Sequence, residues 1–326
     1  MKSTTERPVP IPDDIDPAQL RDDLLGWYRQ NGRDLPWRRT RDPYRILVSE
    51  VMLQQTQVDR VIPKYHAFLE RFPSFAELAA ASTADVIREW SGLGYNRRAV
   101  NLQRTAQAVI ERHGGVMPHD PAQLLDLPGI GPYTAGAIAC FAYEQDVGFF
   151  DTNIRRVLHR LFFGPEFPRE RVTTRELQSL AEAVVPIGRG YEWNQALMEL
   201  GAVQCTSRRP ACQTCPVQIH CQAYPVIQSV IAALPRGTRK KQEEPFAGSM
   251  RYYRGRTIEA LRELEDGQTL DLARLGARVR DDFSNEHINW LRDLVEGLSR
   301  DGLAQIAEEP AEYDAGEPVT IRVRLP

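Results

Sequence analysis

The chain has 326 residues, 42% of them hydrophobic and 26% charged, a composition that fits two or three folded domains and excludes a disordered or low-complexity chain. Its formal charge of −3 excludes a uniformly basic surface of the kind many nucleic-acid binders carry. No run of about 18 apolar residues is present, and the polar start "MKSTTERPVPIPDDID" lacks the apolar core of a signal peptide, so a cytoplasmic protein without membrane association is expected.

Asp16-Pro17 reads as a helix cap followed by proline in the first turn, and Gly32 as a stop, which predicts a helix over 17–31. After the loop "GRDLPWRR", Asp42-Pro43 repeats the start signal ahead of "YRILVSEVMLQQT". Apolar spacing predicts further helices near 58–71, 75–81, 84–91 and 97–113. Asp120-Pro121 opens a short helix, Pro132 another to about Glu144, and 152–162, 173–185 and 191–203 follow as helices. Arginine clusters in "WRRTRDPYR", "YNRRAVNLQR", "NIRRVLHR" and "TSRRP" allow a basic face on an acidic chain, or solvated helix faces.

"PRGTRKKQEEPF", 235–246, is charged, flanked by proline and reads as a linker. Beyond it "RGRTIEALREL", "LDLARLG" and "NEHINWLRDLVEGLSRDG" predict three helices and "EPVTIRVRLP" a strand, an order similar to a winged helix. The expected class is mainly α with a small α+β end.

Three features carry chemistry. Cys205, Cys212, Cys215 and Cys221 are spaced C-x6-C-x2-C-x5-C, which suits a metal or an iron-sulfur cluster and differs from the paired C-x2-C of zinc ribbons, although structural zinc stays open. Cys140, alone in an apolar helix, reads as core. "LPGIGPYTAGAI", 127–138, sets Gly129 and Gly131 around Ile130 before a proline-started helix; glycines free to take positive φ and a helix N-terminus form either a phosphate grip or a turn between packed helices. Asp151 in "FFDTNIRRV" is a helix cap or a carboxylate with a task, and Glu50 in "SEVMLQQTQV" is either solvated or a desolvated acid with a raised pKa. None of the six histidines forms a ligand or triad pattern, and His159 reads as structural or close to phosphate.

The cysteine spacing resembles the [4Fe-4S] loop of the endonuclease III superfamily, and "LPGIGPYTAGAI" followed by Asp151 resembles its helix-hairpin-helix and active-site aspartate. "LPWR", "GLGY", "SEVMLQQTQV" and "NQALMELGA" narrow the resemblance, over about 20–225, to the MutY family of adenine DNA glycosylases. That resemblance implies a helix-hairpin-helix glycosylase core: a polar segment 1–16, a cluster domain of 17–38 and 152–225, a six-helix domain 39–151, a linker 226–246 and a winged-helix-like domain 247–326. It implies a [4Fe-4S] cofactor on the four cysteines and, as partner, double-stranded DNA with adenine mispaired to 8-oxoguanine or guanine, bound by a monomer.

By the same resemblance Glu50 protonates N7 of the adenine and Asp151 faces the sugar of the flipped nucleotide. Tyr133 stands where bifunctional relatives carry a lysine nucleophile, which implies base removal without strand cleavage. Trp37, Arg38, Leu53, Asn153 and Gln195 line or support the base pocket; Gln55, with Thr56 beside it, and Tyr95 enter the base stack, and Gly129, Ile130 and Gly131 grip the strand. The family's usual C-terminal domain is not found, and "FSN" at 283–285 is only a faint likeness to one of its elements. Competing expectations are a thymine or uracil mismatch glycosylase of the same superfamily and a DNA-binding iron-sulfur protein without catalysis.

Overall fold

A computed structural model describes residues 11–167, 172–234, 245–308 and 321–326. In chain order the helices are α1 (Pro17–Asn31), α2 (Pro43–Leu53), α3 (Val58–Arg71), α4 (Phe75–Ala80), α5 (Thr83–Glu89), α6 (Arg97–His113), α7 (Pro121–Leu125), α8 (Pro132–Phe141), α9 (Thr152–Phe162), α10 (Thr174–Ala183), α11 (Gly190–Glu199) and α12 (Ile227–Ala233). Then come α13 (Met250–Arg262), β1 (Leu270–Asp271), α14 (Leu272–Val279), α15 (Ile288–Arg300), β2 (Gln305–Glu308) and β3 (Ile321–Arg324). Among the described residues no strand precedes β1. Residues 235–244 of the expected linker and the first four residues of the expected strand lie outside the described residues.

The described residues form two compact units, and the boundary falls inside α2, after Glu50. One unit holds 11–50, 118–126 and 130–234. Two of its helices start at the caps expected from the sequence, Asp16 accepting from Ala18 N at 2.9 Å and Asp120 from Ala122 N at 2.9 Å, while at a third Thr173 forms a reciprocal capping box with Glu176. Leu20, Leu24 and Leu25 on one face of α1 share a core with Leu158 and Leu161 of α9 and Trp193 and Leu197 of α11. His220 beside the last cysteine meets Asp23 of α1 at 2.8 Å, so the N-terminal helix is tied to the cysteine loop.

The other unit holds 51–117, 127–129 and the described residues from 245 on. Phe68 packs edge-to-face on Phe72 and Trp90, with centroids 5.1 and 5.8 Å apart. Ile87 and Val100 share a core with Leu261, Leu275, Leu291, Leu298 and Val323, and Arg262 fastens α13 to the carbonyl of Ile87 at 2.8 Å. The three expected helices are present, and two unexpected short strands, β1 and β2, flank β3 in an antiparallel sheet of order β1-β3-β2. The sequence of helix, strand, helix, helix, strand, strand is like that of a winged helix.

Candidate active site

Three side chains of the first unit, Glu50, Tyr133 and Asp151, lie close enough for their charges to act on one another. Asp42 accepts from Tyr44 N at 2.9 Å and starts α2, whose Ile46, Leu47 and Val48 are buried; this fixes the helix so that Glu50, 4% exposed, also lies inside. Burial pushes the Glu50 carboxyl up to about 7, and the nearby Asp151 charge adds to that, while a hydrogen bond from Tyr133 and the Arg38 charge oppose it. Half of such groups carry a proton near neutral pH.

Tyr133 is the second residue of α8. Its ring stands edge-to-face on Phe149 at 5.6 Å, and its hydroxyl, which also lies 4.0 Å from Met198 Sδ, donates to Glu50. Burial, then the charges of Glu50 and Asp151, raise the phenol well above its ordinary value, so it stays a neutral donor. Gly136 makes room for this arrangement, since a Cβ there would lie 2.6 Å from Phe149 Cβ.

Asp151 caps α9. Its Oδ1 accepts from Asn153 N at 2.9 Å and Ile154 N at 2.8 Å, and its Oδ2 from the Asn153 amide at 3.0 Å. Capping and a place beside Glu50 and Tyr133 are thus two properties of one carboxylate. Asn153 is itself held by Arg156 at 2.9 Å, whose guanidinium reaches Gly201 O at 2.6 Å and Cys205 O at 2.7 Å.

Trp37 is buried, and Arg38 is held by Gln195 Oε1 at 2.9 Å and Glu199 at 2.7 Å. Leu53, the last residue of α2, lies in the other unit, as do Gln55, Thr56, Tyr95 and Gly129. Gln55 and Tyr95 both have positive φ, 56° and 46°, strained for residues with a side chain, and Tyr95 is 48% exposed. One half-buried guanidinium pins their loops: Arg98 donates to the carbonyls of Val51, Met52, Gln54, Leu93 and Gly94 and to Thr56 Oγ1.

The glycine loop corrects one expectation. Gly129 has φ +78°, with Asn101 2.9 Å from where a Cβ would stand, but Gly131 has an ordinary extended φ of −99° as the cap of α8. What Gly131 leaves is open space, with nothing within 4 Å of a Cβ, at a helix N-terminus that has no side-chain cap. Ile130 between them is buried.

The cysteine loop begins where α11 passes into a wider turn, Leu200–Gln204. None of the five cysteines forms a disulfide. Burial raises Cys205, and pushes Cys215 to about 12 and Cys221 to about 11, each sulfur also feeling the charges of others in the loop. Against this, Arg160 donates to Cys205 Sγ at 3.5 Å, Val217 N to Cys215, and Ala223 and Tyr224 N to Cys221. Four half-buried cysteines, three of them with N–H donors aimed at the sulfur, fit a thiolate-bound cationic group. Among the described residues no three His, Cys, Asp or Glu side chains gather closely enough to hold a single metal ion. Cys140 and His159 are core residues, His159 Nδ1 lying 2.9 Å from Gly164 O.

Residues 48–183 match the HhH-GPD superfamily of base excision DNA repair proteins. The adenine DNA glycosylase of Mycolicibacterium smegmatis is 43% identical over 243 residues, 74% of this chain and 80% of that protein. The chain belongs to the MutY family of adenine DNA glycosylases. Its Mycobacterium tuberculosis relative is 38% identical over 309 residues, which cover 90% of this chain and 96% of that one, so the likeness continues past the linker. A thermostable thymine-DNA glycosylase structure is 32% identical, with a TM-score of 0.59 over 64% of this chain and 97% of its own.

In this MutY-family chain, sequence reasoning missed Glu199, Arg33 and Phe149. Glu199 is fully buried between Arg33, at 2.6 Å, and Arg38. An acid within "NQALMELGA" was visible, but its partners lie over 160 residues away.

Proposed function

We propose that this chain removes adenine mispaired with 8-oxoguanine or guanine from duplex DNA, as a monomer, and leaves an abasic site without cutting the strand. The observation that carries the reading is the pairing of a buried Glu50, with its pKa near 7, and an Asp151 whose oxygens accept three hydrogen bonds. Two carboxylates in different surroundings can divide the work of an acid and a negative charge.

Once the adenosine is extruded, protonated Glu50 gives its proton to N7, and the purine leaves as a neutral base. Positive charge grows on the sugar as the glycosidic bond breaks, and the fixed Asp151 carboxylate offsets it; water then adds to C1′. Tyr133 orients Glu50 and has no amine with which to form a Schiff base. The uncapped start of α8 supplies backbone N–H groups for a phosphate. Cys205, Cys212, Cys215 and Cys221 would hold a [4Fe-4S] cluster, which supplies positive charge and a rigid cross-link among the thiolates when bound.

The likeness to a thymine-DNA glycosylase favours a second reading, excision of a mispaired pyrimidine. Pyrimidines have no N7, so Glu50 would lack its task. Single-turnover excision from duplexes with A opposite 8-oxoguanine, A opposite G, T opposite G and U opposite G separates the two. Release confined to the adenine duplexes is expected; release confined to the pyrimidine duplexes overturns the proposal.

A further inference from the structure

Within the second unit, the loops of Gln55 and Tyr95 and the helix α13 line one groove of about 1010 Å³. Seven arginines and a single glutamate line it. Even with Asp281 and Asp301, which pair with lining arginines, counted against them, a net charge of +4 remains on a chain whose total is −3. Arg60 and Arg251 have no acidic partner among the described residues, and Arg251 is exposed beside the ring of Phe246, 5.2 Å from its centroid. Phe246 is 59% exposed, Tyr252 is half-buried, and Tyr95 stands out from the opposite wall. At Gly255 a Cβ would meet nothing within 4 Å, so the face of α13 between Arg251 and Arg256 is open.

Cations interleaved with exposed aromatic rings fit a polyanion that also offers flat faces for stacking, which is nucleic acid with a disturbed base stack. Electrostatics directs the ligand here and not to α15, the third helix of the winged-helix-like part, where Arg292 is offset by Asp293 and Glu296. We propose that this groove holds the backbone of the DNA at the distorted site, with Arg251 and Arg256 of α13 on phosphates across from Gln55 and Tyr95. This rests on the adenine glycosylase reading for the identity of the lesion, while binding itself can be scored without catalysis.

The test is fluorescence anisotropy with the full chain carrying its metal group and a duplex whose mispaired adenosine bears a cleavage-resistant 2′-fluoro group, over a salt series. Arg251→Ala and Arg256→Ala should each raise Kd about fivefold to tenfold and lower the slope of log K against log salt by about 1. Arg292→Ala should change neither. Circular dichroism and melting curves check that each variant is folded, and Arg251→Lys, which keeps the charge, should recover most of the affinity. Unchanged Kd and slope in folded Arg251→Ala and Arg256→Ala, or a larger loss in Arg292→Ala, overturns the assignment. A loss confined to one opposite base with an unchanged slope also overturns it. If the wild type binds as described yet releases no adenine, the functional reading fails and the groove assignment stands.

Discussion

The hydroxyl of Tyr133 donates to the carboxyl group of Glu50 inside a site where Glu50 is 4% exposed. A lysine in the same helical position would place an amine, in place of a phenol, beside the reacting sugar. Tyr133→Lys should therefore add strand cleavage to base release, and borohydride should trap a covalent enzyme-DNA adduct visible as a shifted band. Adenine release with no trapped adduct would mean that this position is not aligned with C1′.

Excision should depend on the protonated form of Glu50. With a pKa near 7, the single-turnover rate at saturating DNA is expected to fall as pH rises through that value. Stability follows the same proton: the folded state holds it between the ordinary glutamate value of 4.5 and about 7, so its contribution is fully present below 4.5 and is lost as pH rises through 7. Glu50→Gln, expected to be inactive, should be more stable than the parent by up to about 3 kcal/mol above pH 7 and no more stable below pH 4.5, measured by urea unfolding. A constant difference across that range would refute the buried-acid account.

Asp151 joins a cap to a charge, and the two can be separated. Asn caps helices as well as Asp does, so Asp151→Asn should keep stability within about 0.5 kcal/mol and lower excision by about 100-fold or more. Asp151→Ala should lose the same activity and about 1 kcal/mol besides. An active Asp151→Asn would remove the carboxylate from the chemistry.

Gly136 is there for Phe149, which supports Tyr133. Alanine gains about 1 kcal/mol in helix propensity, but its Cβ would stand 2.6 Å from Phe149 Cβ. Gly136→Ala is therefore expected to lower stability by about 1–3 kcal/mol net and to slow excision through a displaced Tyr133. A raised melting temperature would show that the ring yields without consequence.

Glu199 lies between two guanidinium groups, and removing it leaves the nearly buried Arg38 with an uncompensated charge. Glu199→Ala should cost about 3 kcal/mol, and Arg33→Ala, whose side chain is 40% exposed, under about 1 kcal/mol. Equal losses in chemical denaturation would contradict this ranking.

What could be read from the sequence was local. The Asp-Pro starts of α1, α2 and α7 carry their own hydrogen-bonding logic within three residues, and the cysteine spacing and the glycine loop are compact strings. Glu50 and Asp151 could be named, but that burial raises the one while three N–H groups hold the other depends on packing from α8 and α9. Glu199 with Arg33 and Arg38 was out of reach because the partners are far apart in the chain. The strands β1 and β2, two and four residues long, exist through their pairing with β3 and leave no alternation to detect. Gly131 misled because the freedom of glycine permits a positive φ without requiring one.

The most direct measurement is single-turnover base release by the wild type and Glu50→Gln, side by side, from duplexes carrying A opposite 8-oxoguanine and T opposite G. Adenine release by the wild type alone is expected, with an intact strand until alkali is added and no release of thymine. Thymine release without adenine release, or adenine release by Glu50→Gln at the wild-type rate, would contradict it.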